Sequence, residues 1–226
     1  MLTSRPLKRA KTSDAVIDYL LEALVEGRLR SGARIDIDEV SESLGVSRSP
    51  VREALVILER DGIVTTRFHR GVYVEPFDTE TIVDDFEIYG ILSGVAVARL
   101  ARQHDPEVIA ELQQALSELE GTPPDERDRI VELVQEILRI EHRAGGSRRL
   151  RAELRAFAGF LPWVFRAAGG RSHDKVVREQ ARVIEAIAAG DAERAARYRA
   201  EDVTASGRDV AAELVRRGLL SGDASQ

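Results

Sequence analysis

The chain has 226 residues, of which 43% are hydrophobic, and it contains no cysteine. This length suffices for two modest domains with packed cores, and the lack of cysteine excludes a disulfide framework and a thiolate metal site. No apolar run approaches the roughly 20 residues that a transmembrane helix needs, and the N-terminus has no apolar signal-peptide segment. We therefore expect a soluble cytoplasmic protein without a membrane partner.

The net charge of −6 is distributed unevenly. Residues 1–76 hold 12 Lys+Arg and 12 Asp+Glu, so residues 77–226 hold the remaining 21 and 27 and carry the whole net charge. Arg5, Lys8, Arg9 and Lys11 precede the first acidic residue. We interpret residues 1–11 as a basic N-terminal arm, which either follows a phosphate backbone or is a disordered tail without contacts.

Two helices are predicted in the first 45 residues. Val16, Leu20, Ala23 and Leu24 recur at helical spacing and predict the inward face of a first helix at 13–26, and Gly27 lies near its end. Residues 37–44 predict a second, short helix, and Gly45 supplies the permissive backbone of a tight turn after it.

A third helix bears arginines at its start. Val51, Ala54, Leu55 and Leu58 recur at i, i+3, i+4 and i+7, which predicts one inward-facing stripe. Ser47 or Ser49 can cap this helix, and Pro50 fits its first turn.

The residues opposite this stripe, Ser47, Arg48, Ser49 and Arg52, then point outward. Guanidiniums and hydroxyls beside the positive end of a helix suit phosphate oxygens and guanine edges. Taken alone, the segment is also typical of an ordinary solvated surface helix.

A strand pair follows, and it favours the DNA-binding alternative. Residues 64–67 and 71–75 predict two strands joined through Phe68-His69-Arg70. A helix, a turn, a second helix and a hairpin together form a module that reads a DNA groove, and the hairpin is its basic wing. We therefore predict a winged helix-turn-helix domain at residues 12–77.

The segments Val46-Ser-Arg-Ser-Pro-Val-Arg-Glu-Ala-Leu55 and Arg70-Gly-Val-Tyr-Val74 closely resemble the DNA-binding domain of GntR-family bacterial transcription regulators. The resemblance covers roughly residues 12–76. It implies that double-stranded operator DNA is contacted by Ser47, Arg48, Ser49 and Arg52, and in the wing by Arg67, His69, Arg70 and Gly71. Some relatives place a DNA-contacting arginine near Asp38, so that contact is absent here.

The remainder is predicted to be entirely helical. Helices are expected from 78 or 79 to about 104, then at 106–120, 125–143, 148–168 with a kink at Pro162, 172–189 and 191–217. The fold class is therefore mostly α: an N-terminal winged helix-turn-helix and a C-terminal all-α bundle of about six helices. The helical domain spans 78–218, and a disordered tail is expected at 219–226.

The segments Ala144-Gly-Gly-Ser147 and Ile184-Glu-Ala-Ile-Ala-Ala-Gly-Asp191 resemble the FadR subfamily, whose effector-binding domain is called FCD. Many FCD domains bind a metal through one aspartate and three histidines. Aligned from these two segments, the aspartate position falls on Val134 and the histidine positions on Leu138, Gln180 and Asp202. Valine and leucine cannot coordinate a divalent cation, so we expect neither a metal nor another cofactor.

The same positions predict an effector pocket. Members of the family commonly have Arg and Glu near the positions that Tyr89 and Ser93 occupy in this chain. With Tyr and Ser there instead, we do not expect this chain to bind a carboxylate by charge. The predicted lining is Tyr89, Ser93, Val134, Leu138, Phe157, Phe160, Leu161, Trp163, Gln180 and Asp202. A mostly apolar lining favours a lipid-like or weakly charged effector. The alternative to a pocket is that Gln180 and Asp202 only form hydrogen bonds with neighbouring side chains.

These features leave three classes of function open. The first is a ligand-responsive regulator that binds an inverted-repeat operator as a homodimer. The second is a DNA-binding regulator whose helical domain only dimerises. The third is an enzyme that uses Glu136, Glu141 or His142. We expect no catalytic residue, because such charged residues on an outer helix face are usually solvated and no nucleophile motif or phosphate loop is present.

Overall fold

The computed structural model describes residues 7–60, 62–68, 70–75, 78–157 and 172–218. These residues form nine helices and one three-stranded sheet, which confirms the predicted mostly α fold. The chain divides into two compact units, Met1–Phe77 and Asp78–Gln226. No helix in the described part of the chain is long and apolar enough to cross a membrane.

The first unit contains three helices and the sheet. Its elements are α1 (Leu7–Val25), β1 (Arg34–Ile35), α2 (Ile37–Leu44), α3 (Arg48–Arg60), β2 (Val64–Arg67) and β3 (Gly71–Val74). The sheet has the antiparallel order β1-β3-β2, with Arg34 opposite Tyr73 and Val64 opposite Val74. β1 was not predicted, because two residues are too few to show an alternating pattern.

Helix α2 is delimited by its two caps. The Asp36 side chain accepts hydrogen bonds from the backbone N–H groups of Asp38 and Glu39, which satisfies donors that have no acceptor within the helix. Gly45 ends the helix with a φ of 62°, a left-handed conformation that glycine adopts at no steric cost. The helix α3 therefore begins after a turn of three residues.

The core of the first unit joins its helices to the sheet. The predicted inward residues of α1 and α3 are buried, among them Val16, Val51 and Leu58. Val74 of β3 is fully buried with them. Helix α1 begins at Leu7 rather than at residue 13, so residues 7–11 of the predicted basic arm are helical.

The second unit is an all-helical bundle. Its helices are α4 (Thr79–Gln103), α5 (Pro106–Glu120), α6 (Arg127–Gly145), α7 (Arg148–Ala156), α8 (His173–Ala188) and α9 (Ala192–Arg216). Helices α4 and α9 make its most extensive helix–helix contact. A Cβ built on Gly90 would lie 3.1 Å from the backbone oxygen of Ala200, so α9 packs directly on the backbone of α4.

Helix α7 differs from its prediction. It ends at Ala156, whereas the pattern predicted a helix to residue 168. The predicted kink at Pro162 and the predicted tail at 219–226 lie outside the described residues. Helix α6 begins two residues later than predicted, at Arg127, and extends to Gly145.

Candidate functional site

The start of α3 presents the four predicted DNA-contacting side chains to solvent. Ser47 immediately precedes α3, and Arg48, Ser49 and Arg52 lie in its first two turns; all four are exposed. The stripe on the opposite side of the helix is buried. The helix therefore displays guanidiniums and hydroxyls around its positive end, where phosphate groups bind most readily.

Arg48 already has an acidic partner within the chain. Its Nε lies 2.5 Å from Oδ1 of Asp38 and its Nη2 donates to Oδ2 at 2.9 Å. Both side chains remain more than half exposed, at 63% and 57%. In the sequence, Asp38 stands out only because some relatives have a cation near this position. Its pairing with Arg48 depends on how α2 and α3 pack.

The wing is held by contacts between its two strands. The Arg67 guanidinium lies over the Tyr73 ring, 4.5 Å from its centroid, and the Tyr73 hydroxyl donates to the Arg70 backbone oxygen at 3.1 Å. Gly71 has a φ of 104°, and a Cβ there would lie 3.0 Å from Nε of Arg34. Arg67 and Arg70 are exposed, whereas His69 lies outside the described residues. The wing thus carries two solvent-facing cations on a constrained hairpin.

A cavity of about 1030 Å³ lies in the second unit. Six of the predicted pocket residues line it: Tyr89, Val134, Leu138, Phe157, Gln180 and Asp202. Ser93 does not line the cavity; it is fully buried, and its hydroxyl shares a 3.2 Å hydrogen bond with Nε2 of His142. Phe160, Leu161 and Trp163 lie outside the described residues.

The four positions aligned with the metal ligands of FCD domains all line this one cavity. Only Gln180 and Asp202 could offer a donor atom, and both have partners. The Gln180 oxygen accepts from Nη2 of Arg199 at 3.1 Å, and Oδ2 of Asp202 accepts from Nε of Arg182 at 3.0 Å. No group of three or more His, Cys, Asp and Glu in the described ranges could hold a metal ion. The residues do not fit a tight divalent site, which uses three or four protein ligands.

A buried ion pair forms part of the cavity wall. The Arg199 and Glu141 side chains are 1% and 0% exposed and are bonded through Nη2 and Oε1. Burial raises the pKa of Glu141, and the charge of Arg199 opposes that rise. Arg199 lines the cavity, and neither its Nε nor Oε2 of Glu141 has a hydrogen-bond partner among the described residues.

This pair corrects the expectation that Glu141 lies on a solvated face. Glu141 is buried because α6 turns that side toward α9, where Arg199 occupies the same inward stripe as Ala195 and Asp202. A charged residue on an otherwise apolar stripe is the signal that could have identified Arg199.

His142 and Tyr89 form a neutral part of the wall. Burial, with the charge of Arg199 adding to it, lowers the pKa of His142 to about 4. Burial raises the pKa of the Tyr89 phenol, whose ring meets the imidazole edge-on at 5.7 Å. Both groups are therefore uncharged at neutral pH.

The lining also contains arginines that the prediction did not include: Arg127, Arg139, Arg143, Arg151 and Arg155. Some have acidic partners outside the cavity, such as Arg143, whose Nη2 lies 2.5 Å from Oε2 of Glu111. Arg151 donates to the backbone oxygen of Arg143 at 3.3 Å. The cavity thus combines apolar walls with several guanidiniums.

Two family profiles match the chain. The profile of the bacterial regulatory proteins of the gntR family matches residues 12–74. The profile of the FCD domain matches residues 84–204. An uncharacterized HTH-type transcriptional regulator of Mycobacterium tuberculosis is 40% identical over 167 residues, covering 74% of this chain and 68% of that protein.

Solved structures share the fold. The E. coli protein McbR/YncC has a TM-score of 0.63 at 20% identity, with coverage of 96% of this chain and 100% of that chain. A putative transcriptional regulator GntR from Rhodococcus sp. RHA1 has a TM-score of 0.59 at 23% identity, with coverage of 86% and 96%. At sequence identities this low, the similarity shows a shared fold only.

Proposed function

The chain belongs to the gntR family of bacterial regulatory proteins and carries an FCD domain, and we propose that it is a FadR-subfamily regulator that responds to a ligand. In this proposal a homodimer binds an inverted-repeat operator, and a small effector in the helical unit changes its affinity for DNA. Such a regulator would act in the cytoplasm, where bacterial DNA lies. We propose neither a bound metal nor an enzymatic activity for it.

Exposed cations on two adjacent elements support the DNA contacts. Arg48 and Arg52 project from the start of α3, and Arg67 and Arg70 project from the hairpin. In winged helix-turn-helix proteins a helix of this kind reads base edges in the major groove while other elements contact the backbone. We propose Ser47, Ser49, His69 and Gly71 as further contacts.

The cavity is the single observation that carries the effector proposal. Its volume of about 1030 Å³ lies at the upper end of the range for small-molecule sites. Apolar side chains such as Val134, Leu138 and Phe157 form part of its wall. A helical unit that served only to dimerise would need no pocket of this size.

The charges at the buried end of the cavity favour an uncharged part of the effector there. Arg199 is paired with Glu141, Asp202 is paired with Arg182, and His142 is neutral at pH 7. A further charge at this buried end would lack a free counter-charge, and an uncompensated buried charge is costly. We therefore propose a largely apolar effector, whose uncharged end lies against this part of the wall.

The test begins with native mass spectrometry of the purified protein, to identify a co-purified compound. That compound, added to stripped protein, should change operator affinity by roughly 5- to 150-fold, the usual range of allosteric coupling. Val134→Phe should abolish the response by filling the cavity, while Ala110→Phe on the exposed side of α5 should not. Operator binding that no compound alters would instead select a regulator whose helical unit only dimerises.

A further inference from the structure

One face of α4 exposes apolar side chains at its centre. Ile88, Ile91 and Val95 are 48%, 56% and 39% exposed and are separated by three and four residues, which places them on one side of the helix. Elsewhere in the described ranges, only Val56 and Phe68 are large hydrophobic side chains with comparable exposure. A cluster of this kind on a single helix face is typical of an interaction surface rather than of scattered surface residues.

Charged side chains lie on the same face, with opposite signs at the two ends. The N-terminal end carries Glu80, Asp84 and Glu87, and the C-terminal end carries Arg99 and Arg102; all five are exposed. None of these five side chains forms a hydrogen bond or an ion pair with another residue in the described part of the chain. We call these eight residues the α4 face.

We propose that the α4 faces of two copies of this chain pair antiparallel about a twofold axis near Ile91. The proposal rests on the proposed homodimer and specifies its surface. In this arrangement Asp84, seven residues before Ile91, faces Arg99 of the second copy, eight residues after it. By the same symmetry, Ile88 faces Val95 of the second copy.

The charge pattern selects both the partner and the direction of pairing. A parallel pair would place acidic end against acidic end and basic end against basic end, which costs free energy. An antiparallel pair places opposite charges together twice, because a twofold axis repeats every contact. Only a partner with the reverse charge order fits this face, and a second copy turned end to end supplies that order.

The apolar centre can supply the favourable free energy of pairing. A helix of 25 residues is about 37 Å long, so the three apolar residues lie near its middle and the charges lie at the rim. An apolar centre with a polar rim is the usual anatomy of a protein interface. The rim charges then determine register rather than most of the affinity.

Charge exchange tests the proposal in the full-length protein. Sedimentation velocity over a range of concentrations should show that Asp84→Arg and Arg99→Asp each raise the dimer dissociation constant by roughly tenfold or more, because each places like charges together at two symmetric points. The double variant, Asp84→Arg with Arg99→Asp, should return it to within about threefold of the wild type, because the attraction is restored with exchanged signs.

Two further variants complete the design. Ile91→Asp should give a monomer, since it places two carboxylates at the centre of the interface. Glu185→Arg, an exposed position on α8, makes the same change in net charge as Asp84→Arg and should leave the dimer intact. Circular dichroism and the melting temperature establish that each variant is folded.

The outcomes separate this surface from the proposed function. A wild-type dimer that none of the variants weakens would show that another surface forms the dimer, and so would overturn the α4 pairing alone. Single variants that dissociate without rescue by the double variant would overturn the antiparallel register. A wild type that stays monomeric at micromolar concentration and on operator DNA would overturn the homodimer itself.

Discussion

Arg48 and Arg52 project from the same end of α3 but differ in their partners. Arg48 is held by Asp38, whereas Arg52 is exposed and has no ion-pair partner among the described residues. Arg52→Ala should therefore weaken specific operator binding by about 1–3 kcal/mol, the cost of losing a bidentate base contact. Footprinting at matched salt measures this, with Arg30→Ala as a control of equal charge. Unchanged affinity would remove Arg52 from the proposed contacts.

Asp38 is predicted to restrain Arg48 and so to protect sequence discrimination. Its carboxylate holds the guanidinium through two atoms and also repels phosphate. In Asp38→Asn the freed guanidinium can bind any nearby phosphate, so non-specific DNA affinity should rise and the salt dependence should steepen by about one unit in the slope. Fluorescence anisotropy with operator and random DNA measures both. A larger ratio of specific to non-specific affinity in the variant would contradict this role.

His142 should make the protein less stable in mild acid. Its pKa is lowered to about 4 in the folded protein, against about 6.5 in an unfolded chain. Between these values the unfolded state binds the additional proton, so this contribution to stability is present above pH 6.5 and is lost as the pH falls toward 4. The free energy of unfolding should fall by at most about 1.4 kcal/mol per pH unit from this group.

Urea unfolding of wild type and His142→Gln at several pH values between 7 and 4 measures that slope. The variant lacks the titrating group, so its stability should decline less steeply with acid. Equal slopes in the two proteins would mean that His142 does not titrate differently in the folded and unfolded states.

At the scale of whole elements, the junction of α4 with the end of α6 depends on a glycine. A Cβ on Gly145 would collide with the backbone oxygen of Ala96, which cannot move without shifting α4. Gly145→Ala should therefore lower the free energy of unfolding by about 1–3 kcal/mol. Urea denaturation measures the change.

The matched control for this substitution lies at the end of α5. Gly121 has a φ of −79°, and its nearest neighbour to an added Cβ is the Ser117 oxygen at an ordinary 3.5 Å. Gly121→Ala should be neutral or should stabilise by less than about 1 kcal/mol, because alanine restricts the unfolded chain. Equal losses at both positions would show that the close approach of α6 to α4 is not the cause.

At the scale of the whole molecule, folding and stability should not depend on a metal ion. Val134 and Leu138 supply no donor atom, and the groups of Gln180 and Asp202 are engaged by arginines. Elemental analysis of protein purified without chelator should find well under one equivalent of zinc, nickel or manganese, since three or four ligands are normally needed. EDTA should leave the melting temperature unchanged. A stoichiometric metal that EDTA removes with loss of stability would refute this.

Local patterns in the sequence were sufficient to predict most of the helices and the orientation of most helix faces. The stripe of Val51, Ala54 and Leu58 predicted which side of α3 is buried, and Val134 and Leu138 were placed four residues apart on one side of α6. These predictions succeed because helical periodicity is a property of neighbouring residues, which a single sequence displays directly. Short strands such as β1 do not display it.

Tertiary structure alone decided which charged groups meet. Glu141 and Arg199 are 58 residues apart in the chain, and Asp38 and Arg48 belong to two different helices. The sequence determined that each of these side chains lies on a helix, and hence which neighbours share its face. Which helix packs against that face, and whether water is excluded there, depends on the packing of the whole bundle, since burial and pairing arise only between elements.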